Sequence, residues 1–155
     1  MLDMEVKLSG DIESGLDNFE KSIGESVLIS GAAAMARVFY EEAKLQCPVS
    51  RKAHMFYGTH QKYGPYQPGN LRDSIYRVYA KDLSTATEKV YRISWNHQKA
   101  PYGFMVEFGT PTAAAAGFMR KAFDRASAAI DAGQDRMRAR LTEGGHIPVA
   151  EFSDK

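Results

Sequence analysis

Apolar residues recur at helical spacing in three stretches of the chain, which predicts three helices. The first follows Asp11, a suitable N-cap, and Gly24 is expected to interrupt it. The second covers residues 25–46, because Pro48 forces the residue before it out of the α region. The third covers residues 118–140. The apolar positions are, helix by helix, Ile12, Leu16, Phe19 and Ile23, then Leu28, Ala32, Met35, Phe39 and Ala43, then Phe118, Ala122, Ala126, Ala129 and Ile130.

Alternating apolar and polar residues predict strands at 4–8, 75–81 and 88–95, and the last two form an antiparallel hairpin. One face of this hairpin is expected to pack on the long helix. Its expected members are Tyr76, Val78 and Ala80 from the first strand and Tyr91, Ile93 and Trp95 from the second. A short helix at 102–108, closed by Gly109, completes the set.

These elements predict an α+β fold, with a small antiparallel sheet packed against a long helix and a C-terminal helix. Residues 1–141 are expected to form a single domain, and 142–155 a flexible C-terminal tail.

Residues 48–70 differ from the rest, because neither a helical nor a strand period holds there. The segment is rich in glycine, proline, aromatic and basic residues, which predicts a long loop. Long loops inside compact domains are usually functional or disordered. We therefore expect either a partner-binding loop or a passive insertion. The candidate binding residues are Arg51, Lys52, Phe56, Tyr57, Lys62, Tyr63 and Tyr66.

Composition narrows the class of protein without giving its function. The apolar fraction of 44% and the charged fraction of 25% are ordinary for a globular domain. Cys47 is the single cysteine, so no intramolecular disulfide is expected, and an intracellular location follows. No signal peptide or membrane span is expected.

Charge is unevenly distributed although the whole chain is only +1. Residues 1–47 carry a net charge of −5, residues 48–100 carry +6, and residues 101–155 carry 0. The acidic and basic parts are expected to pair within one chain or with a neighbouring copy, or to be solvated surfaces that cluster by chance.

No residue pattern predicts an active site. His54 and His60 share one segment but lack further ligands at metal-binding spacing. Glu42 and Lys44 resemble part of a nuclease motif, yet they fall on a helix, where a salt-bridged surface is the expected role. Cys47 has no evident base to activate it. We therefore predict no catalytic residue, no metal site and no cofactor.

Three strings carry a resemblance to a known family. They are 43–48, where the long helix meets a proline; 70–75, Asn-Leu-Arg-Asp-Ser-Ile; and 102–110, which ends in Glu-Phe-Gly-Thr and is followed by Phe118. In this order they resemble the tail-component family of long-tailed phages, small neck or tail-completion proteins that include the minor tail protein Z of phage lambda. The matching motif residues are Leu71, Arg72, Ser74, Ile75, Glu107, Phe108, Gly109, Thr110 and Phe118.

We interpret these motif residues as structural, forming a corner that fixes the last helix on the sheet. Glu107 is expected to need a cationic partner, either Arg72 or Arg120, because its charge opposes the dipole at the end of its short helix.

The resemblance implies a non-enzymatic virion protein at the head–tail neck that completes the tail and helps to join it to the head. Its implied partners are further copies of itself, in a ring that could be sixfold, together with a tail terminator or head-closure protein and the tail tube protein. DNA would at most pass nearby, and no membrane is involved. The implied location is the virion, and the host cytoplasm during assembly. The alternatives are another neck component, a nucleic-acid-binding module that uses the basic middle, and a metal-dependent hydrolase.

Overall fold

A computed structural model describes residues 10–58 and 60–143, and for residues 10–23 it describes the backbone alone. The predicted strand at 4–8 lies outside these residues, as does most of the predicted tail. The elements are α1 (Gly10–Gln46), β1 (His54–Tyr57), β2 (Lys62–Tyr66), α2 (Asn70–Ser74), β3 (Ile75–Tyr79), β4 (Tyr91–Trp95), α3 (Gly103–Phe108), α4 (Phe118–Ala122), a 3-10 turn (Phe123–Arg125) and α5 (Ala126–Glu143). The predicted α+β class is confirmed.

The helix α1 is continuous, so the predicted interruption at Gly24 is wrong. A glycine inside a helix costs about 1 kcal/mol relative to alanine, which a helix of 37 residues with good formers on both sides tolerates. The predicted end before Pro48 is confirmed. At about 1.5 Å per residue, α1 is a rod about 55 Å long.

Helices α1 and α5 pack closely because each helix has a glycine that faces a methionine of the other helix. A Cβ on Gly31 would lie 2.5 Å from Met137 Cγ, and one on Gly133 would lie 2.5 Å from Met35 Cγ. The pairing is antiparallel, since Ser26 contacts Arg140 at one end and Glu42 contacts Arg125 at the other.

The predicted last helix is divided by the 3-10 turn, and it continues to Glu143 instead of ending near Arg140. Thr142 and Glu143 therefore belong to α5 and not to a flexible tail. In the 3-10 turn, the ring of Phe123 lies 5.5 Å from that of Phe39 on α1.

Strands β3 and β4 form the predicted antiparallel hairpin, but the predicted inner face of β3 is wrong. Ile75 pairs with Trp95 and Arg77 with Ile93, so Tyr76 and Val78 lie on the opposite face and are 42% and 47% exposed. Side chains alternate between the two faces of a strand, so burial of Ile75 in the core places Tyr76 on the outer face.

Arg77 lies on the inner face despite its charge. Its guanidinium donates a hydrogen bond to the Ala33 carbonyl at 3.3 Å and lies 5.7 Å from the centre of the Tyr40 ring. The aliphatic stem of an arginine covers apolar surface well, which a binary hydrophobic pattern does not show.

Residues 48–70 are not one irregular loop, because β1 and β2 pair as an antiparallel hairpin with an irregularity between His54 and Phe56. Glycine and proline within β2, at Gly64 and Pro65, hid its strand pattern from the sequence prediction.

A hydrophobic core joins α1, α2, both strands of the β3–β4 hairpin, α4 and the loop before α3. Its buried members are Ala43, Cys47, Leu71, Ile75, Trp95, Ala100, Tyr102, Phe118 and Ala122. Within the described residues, no helix is both long enough and apolar enough to span a bilayer.

Candidate assembly surfaces

The β1–β2 hairpin, called the first hairpin below, is attached to the rest of the protein through Tyr102. His54, Phe56 and Tyr66 surround this ring, with centroid distances of 4.7, 6.4 and 5.0 Å respectively. Tyr102 is 8% exposed, and burial raises the pKa of its hydroxyl. Phe56 and Tyr66, two of the seven predicted partner residues, therefore hold the hairpin in place.

The other predicted residues remain exposed. Tyr57 is 65% exposed and pairs across the strands with Lys62, whose ammonium lies 5.2 Å from the centre of the Tyr57 ring. Tyr63 is 41% exposed beside Phe56, and Arg51 and Lys52 lie exposed before β1. We call these five residues, Arg51, Lys52, Tyr57, Lys62 and Tyr63, the hairpin surface.

The cations of the hairpin surface lack acidic partners in the part of the chain that the structure describes. No ion pair involves Arg51, Lys52 or Lys62 there. The nearest carboxylates along the chain are already engaged, since Asp73 pairs with Arg72 and Glu42 with Arg125. Tyrosine and arginine side chains are enriched at protein–protein contacts, which favours a contact role for this surface.

Glu107 stabilises the turn into α4. Its carboxylate accepts hydrogen bonds from the backbone N–H groups of Met119, at 2.9 Å, and Arg120, at 3.2 Å. The Arg120 side chain donates to the carboxylate at 3.1 Å and to the Glu107 carbonyl at 2.8 Å. Of the two partners predicted for Glu107, Arg120 is therefore correct. The carboxylate satisfies N–H groups that the start of a helix leaves unpaired.

Gly109 and Thr110 complete this corner. Gly109 has a φ of 82°, and a Cβ there would lie 2.8 Å from the Ala115 nitrogen, so a larger residue does not fit. Thr110 forms an isolated bridge with Ala113. The Glu-Phe-Gly-Thr string thus folds the chain back toward α4.

Most of the other motif residues also have structural positions. Leu71, Ile75 and Phe118 are core residues, and buried Ser74 donates a hydrogen bond to the Leu71 carbonyl at 2.7 Å. Arg72 is half-exposed and pairs with Asp73.

Asn70 is the first residue of α2, and its side chain reaches away from that helix. Its amide donates to the Lys99 carbonyl at 2.7 Å and to the Tyr102 hydroxyl at 3.2 Å. Asn70 thus ties α2 to the loop that carries Tyr102.

A second exposed surface was missed by the sequence analysis. Phe104, Met105 and Phe108 of α3 are 58%, 42% and 55% exposed, and the Phe104 and Phe108 rings lie 5.0 Å apart. The opposite side of α3 packs against the rest of the protein. It consists of Gly103, where a Cβ would collide with the Trp95 indole, and of buried Glu107. We call Phe104, Met105 and Phe108 the α3 patch; Phe108 is a motif residue that lies at the surface and not in the core.

An apolar groove of about 560 Å³ lies between β4 and α4. Phe39, Ile93, Met119 and Phe123 are among its lining residues, and Phe123 is 67% exposed. Arg92 is its charged member, so the groove offers apolar contact area rather than a cluster of reactive groups.

The residues considered for catalysis have other partners. Glu42 accepts hydrogen bonds from Gln46 and Arg125, which lower the pKa of its carboxyl, while Lys44 donates to the Tyr40 hydroxyl at 3.1 Å. Burial raises the pKa of the Cys47 thiol to about 11, so the thiol is protonated at neutral pH. Among the described residues, no group of three or more His, Cys, Asp or Glu side chains could hold a metal ion.

No protein-family model, curated protein or solved structure matches this chain. The family membership suggested by the three sequence strings therefore stays a prediction.

Proposed function

We propose that this chain is a non-enzymatic structural protein of the head–tail neck of a long-tailed phage, which completes the tail and helps to join it to the head. The observation that carries the proposal is the contrast between a tightly packed corner and exposed aromatic surfaces. The motif residues Leu71, Ile75, Glu107 and Phe118 maintain the packing, whereas the hairpin surface and the α3 patch face solvent. Exposed apolar and aromatic patches on a packed domain favour protein contacts.

The proposed partners are further copies of the chain in a ring, with sixfold symmetry as the family resemblance implies, and the proteins on either side of that ring. These are a tail terminator or head-closure protein and the tail tube protein. Two separate aromatic surfaces suit this position, because a ring subunit contacts both its neighbours and an axial partner. The proposed location is the virion, with assembly in the host cytoplasm.

The experiment uses the phage whose genome encodes this chain. Replacing both Tyr57 and Tyr63 with serine should leave the fold intact, because neither residue belongs to the Tyr102 cluster that attaches the hairpin. Deletion of 51–67 is a less clean test, since it also removes His54, Phe56 and Tyr66 from Tyr102. The expected result is a loss of infectious particles, with the variant protein failing to sediment with tails.

The matched control is Leu83→Ser, since Leu83 is 49% exposed in the turn of the other hairpin and lies outside the candidate assembly surfaces. This control should retain wild-type titre and tail binding. A normal titre from the Tyr57→Ser, Tyr63→Ser variant would show that the hairpin surface does not serve assembly.

A nucleic-acid-binding module is the second candidate, and one specific observation favours it. Residues 43–72 contain five Lys and Arg side chains and no Asp or Glu. Such a segment would bind phosphates with an affinity that falls steeply with salt. Retention of the purified chain on DNA at 50 mM salt, lost in an Arg51→Ala, Lys52→Ala, Lys62→Ala variant that still binds tails, would favour this function.

A further inference from the structure

The two oppositely charged segments of the chain lie at opposite ends of α1. Within residues 10–24 there are four carboxylates, Asp11, Glu13, Asp17 and Glu20, against one lysine, Lys21. Glu25 already has a partner, because its carboxylate pairs with Lys89 at 3.0 Å. The cations of the hairpin surface come after the other end of the helix, beyond Gln46.

The first hairpin is held at the C-terminal end of α1. Ala43 and Cys47, at this end, share the core with Tyr102, the residue on which the hairpin packs. Leu16 precedes Gln46 by 30 residues of unbroken helix. The acidic segment therefore lies about 45 Å away along the axis. At physiological salt, charges are screened over about 8 Å, so the two segments of one chain cannot neutralise each other.

The acidic part of α1 also extends past the described end of α5. Ser26 lies beside Arg140, and the described part of α5 ends at Glu143, one turn later. Over residues 10–23 the backbone is helical, and the sequence repeats apolar residues at Ile12, Leu16, Phe19 and Ile23. This spacing in the sequence is that of an amphipathic helical segment.

We propose that the acidic N-terminal part of α1, residues 10–24, docks on the hairpin surface of a second copy of this chain. The net negative charge of this segment complements Arg51, Lys52 and Lys62, and its repeat of apolar residues suits contact with Tyr57 and Tyr63. The contact joins different surfaces of the two copies, so it is head-to-tail and repeats around a closed ring. The inference deepens the proposed function, on which its ring geometry rests, by naming the surfaces that join one subunit to the next.

The test uses two charge-reversal variants of the full chain. One carries Arg51→Glu, Lys52→Glu and Lys62→Glu on the hairpin; the other carries Asp11→Lys, Glu13→Lys and Asp17→Lys on the helix. In either variant alone, every head-to-tail contact brings like charges together. Mixed one to one, the variants can alternate around a ring, and every contact then joins opposite charges.

Light scattering at 100 mM salt measures the mass of each sample. The wild type should be oligomeric, each variant alone should associate at least about tenfold more weakly, and the mixture should recover the oligomer. The wild-type oligomer should also weaken as salt is raised to about 0.5 M, because screening acts on exposed charges. Circular dichroism and thermal unfolding verify that both variants are folded.

The matched control reverses three exposed cations elsewhere, Arg37→Glu, Lys81→Glu and Lys121→Glu, and should stay oligomeric. A monomeric wild type, a variant that assembles normally, or a mixture that stays monomeric while both variants are folded would overturn the contact. The contact would also be overturned if the hairpin variant assembled normally and lost only its retention on DNA. An oligomer that behaves as expected but does not bind tails would count against the neck function and leave this contact in place.

Discussion

Glu107 shows most clearly how one residue connects the sequence to the fold. It is 2% exposed, and its carboxylate joins the end of α3 to the start of α4 through two backbone N–H groups and Arg120. The sequence predicted a cationic partner, either Arg72 or Arg120, from the unfavourable position of the charge on α3, and the structure shows Arg120. It did not predict the capping of α4, because the Gly109 turn that brings α4 close is a tertiary feature.

Glu107→Ala should lower the free energy of unfolding by roughly 2–4 kcal/mol, since it removes a buried charged acceptor and leaves helix N–H groups unpaired. Glu107→Gln, which retains one acceptor oxygen, should cost less. Urea unfolding measures both values. The control is Arg120→Ala, which removes a side chain that is 59% exposed and should cost no more than about 1 kcal/mol. Equal losses for Glu107→Ala and Arg120→Ala would contradict the capping role.

Ionisation of the Cys47 thiol is expected to lower the stability of the fold at alkaline pH. Burial raises the pKa of this thiol from 9.0 to about 11, so between these values the unfolded chain releases a proton that the folded chain keeps. Its contribution is therefore complete below pH 9 and is lost as pH rises toward 11. Cys47→Ala should flatten the stability profile over this range relative to the wild type, as measured by urea unfolding at several pH values. Profiles of the same slope would show that the thiol ionises as readily in the folded state.

At the scale of the elements, two glycines of α1 have opposite roles. Nothing lies within 4 Å of a Cβ built on Gly24, whereas one built on Gly31 would meet Met137. Gly24→Ala should therefore stabilise the protein by about 0.5–1 kcal/mol through helix propensity. Gly31→Ala should destabilise it by about 1–3 kcal/mol, because α5 must move away.

Thermal and urea unfolding of both variants test this pair of predictions. The two glycines lie in one helix, so each variant is the other's control. A loss of stability in Gly24→Ala would show that the helix needs its glycine there. A neutral Gly31→Ala would show that the contact between α1 and α5 is loose.

The sequence predicted whether an element is a helix or a strand better than it predicted the buried face and the boundaries of that element. Spacing identified α1, although as two helices, and also α3, α5 and the β3–β4 hairpin. Tyr76 and Val78 were placed on the wrong face, because alternation alone does not reveal which set the core accepts. The β1–β2 hairpin was missed, since its alternation is broken by Gly64 and Pro65 and its strands depend on packing against Tyr102, which is 36 residues beyond Tyr66.

The candidate surface was predicted in part. Five of the seven residues chosen from 48–70 are exposed, and the other two attach the hairpin. The α3 patch was not predicted as a surface, because apolar residues at helical spacing normally face a core. In α3, the core-facing positions are taken by Gly103 and by the capping carboxylate of Glu107.

For the molecule as a whole, the arrangement of charge matters more than its total. A net charge of +1 conceals an acidic segment and a basic segment that lie about 45 Å apart along the axis of α1. The proposed contact between copies uses these two segments, while the whole chain stays close to neutral. Exposed aromatic residues lie on separate elements, the β1–β2 hairpin and α3, so contacts with neighbouring copies and with an axial partner need not compete.

The central claim is that the chain is a structural part of a virion, and its amount in purified particles tests this most directly. Quantitative mass spectrometry of virions and isolated tails from the encoding phage should find it in a fixed number of copies per tail, comparable to the copy number of other neck proteins. Absence from both virions and tails, in a lysate where the protein is abundant, would contradict the account.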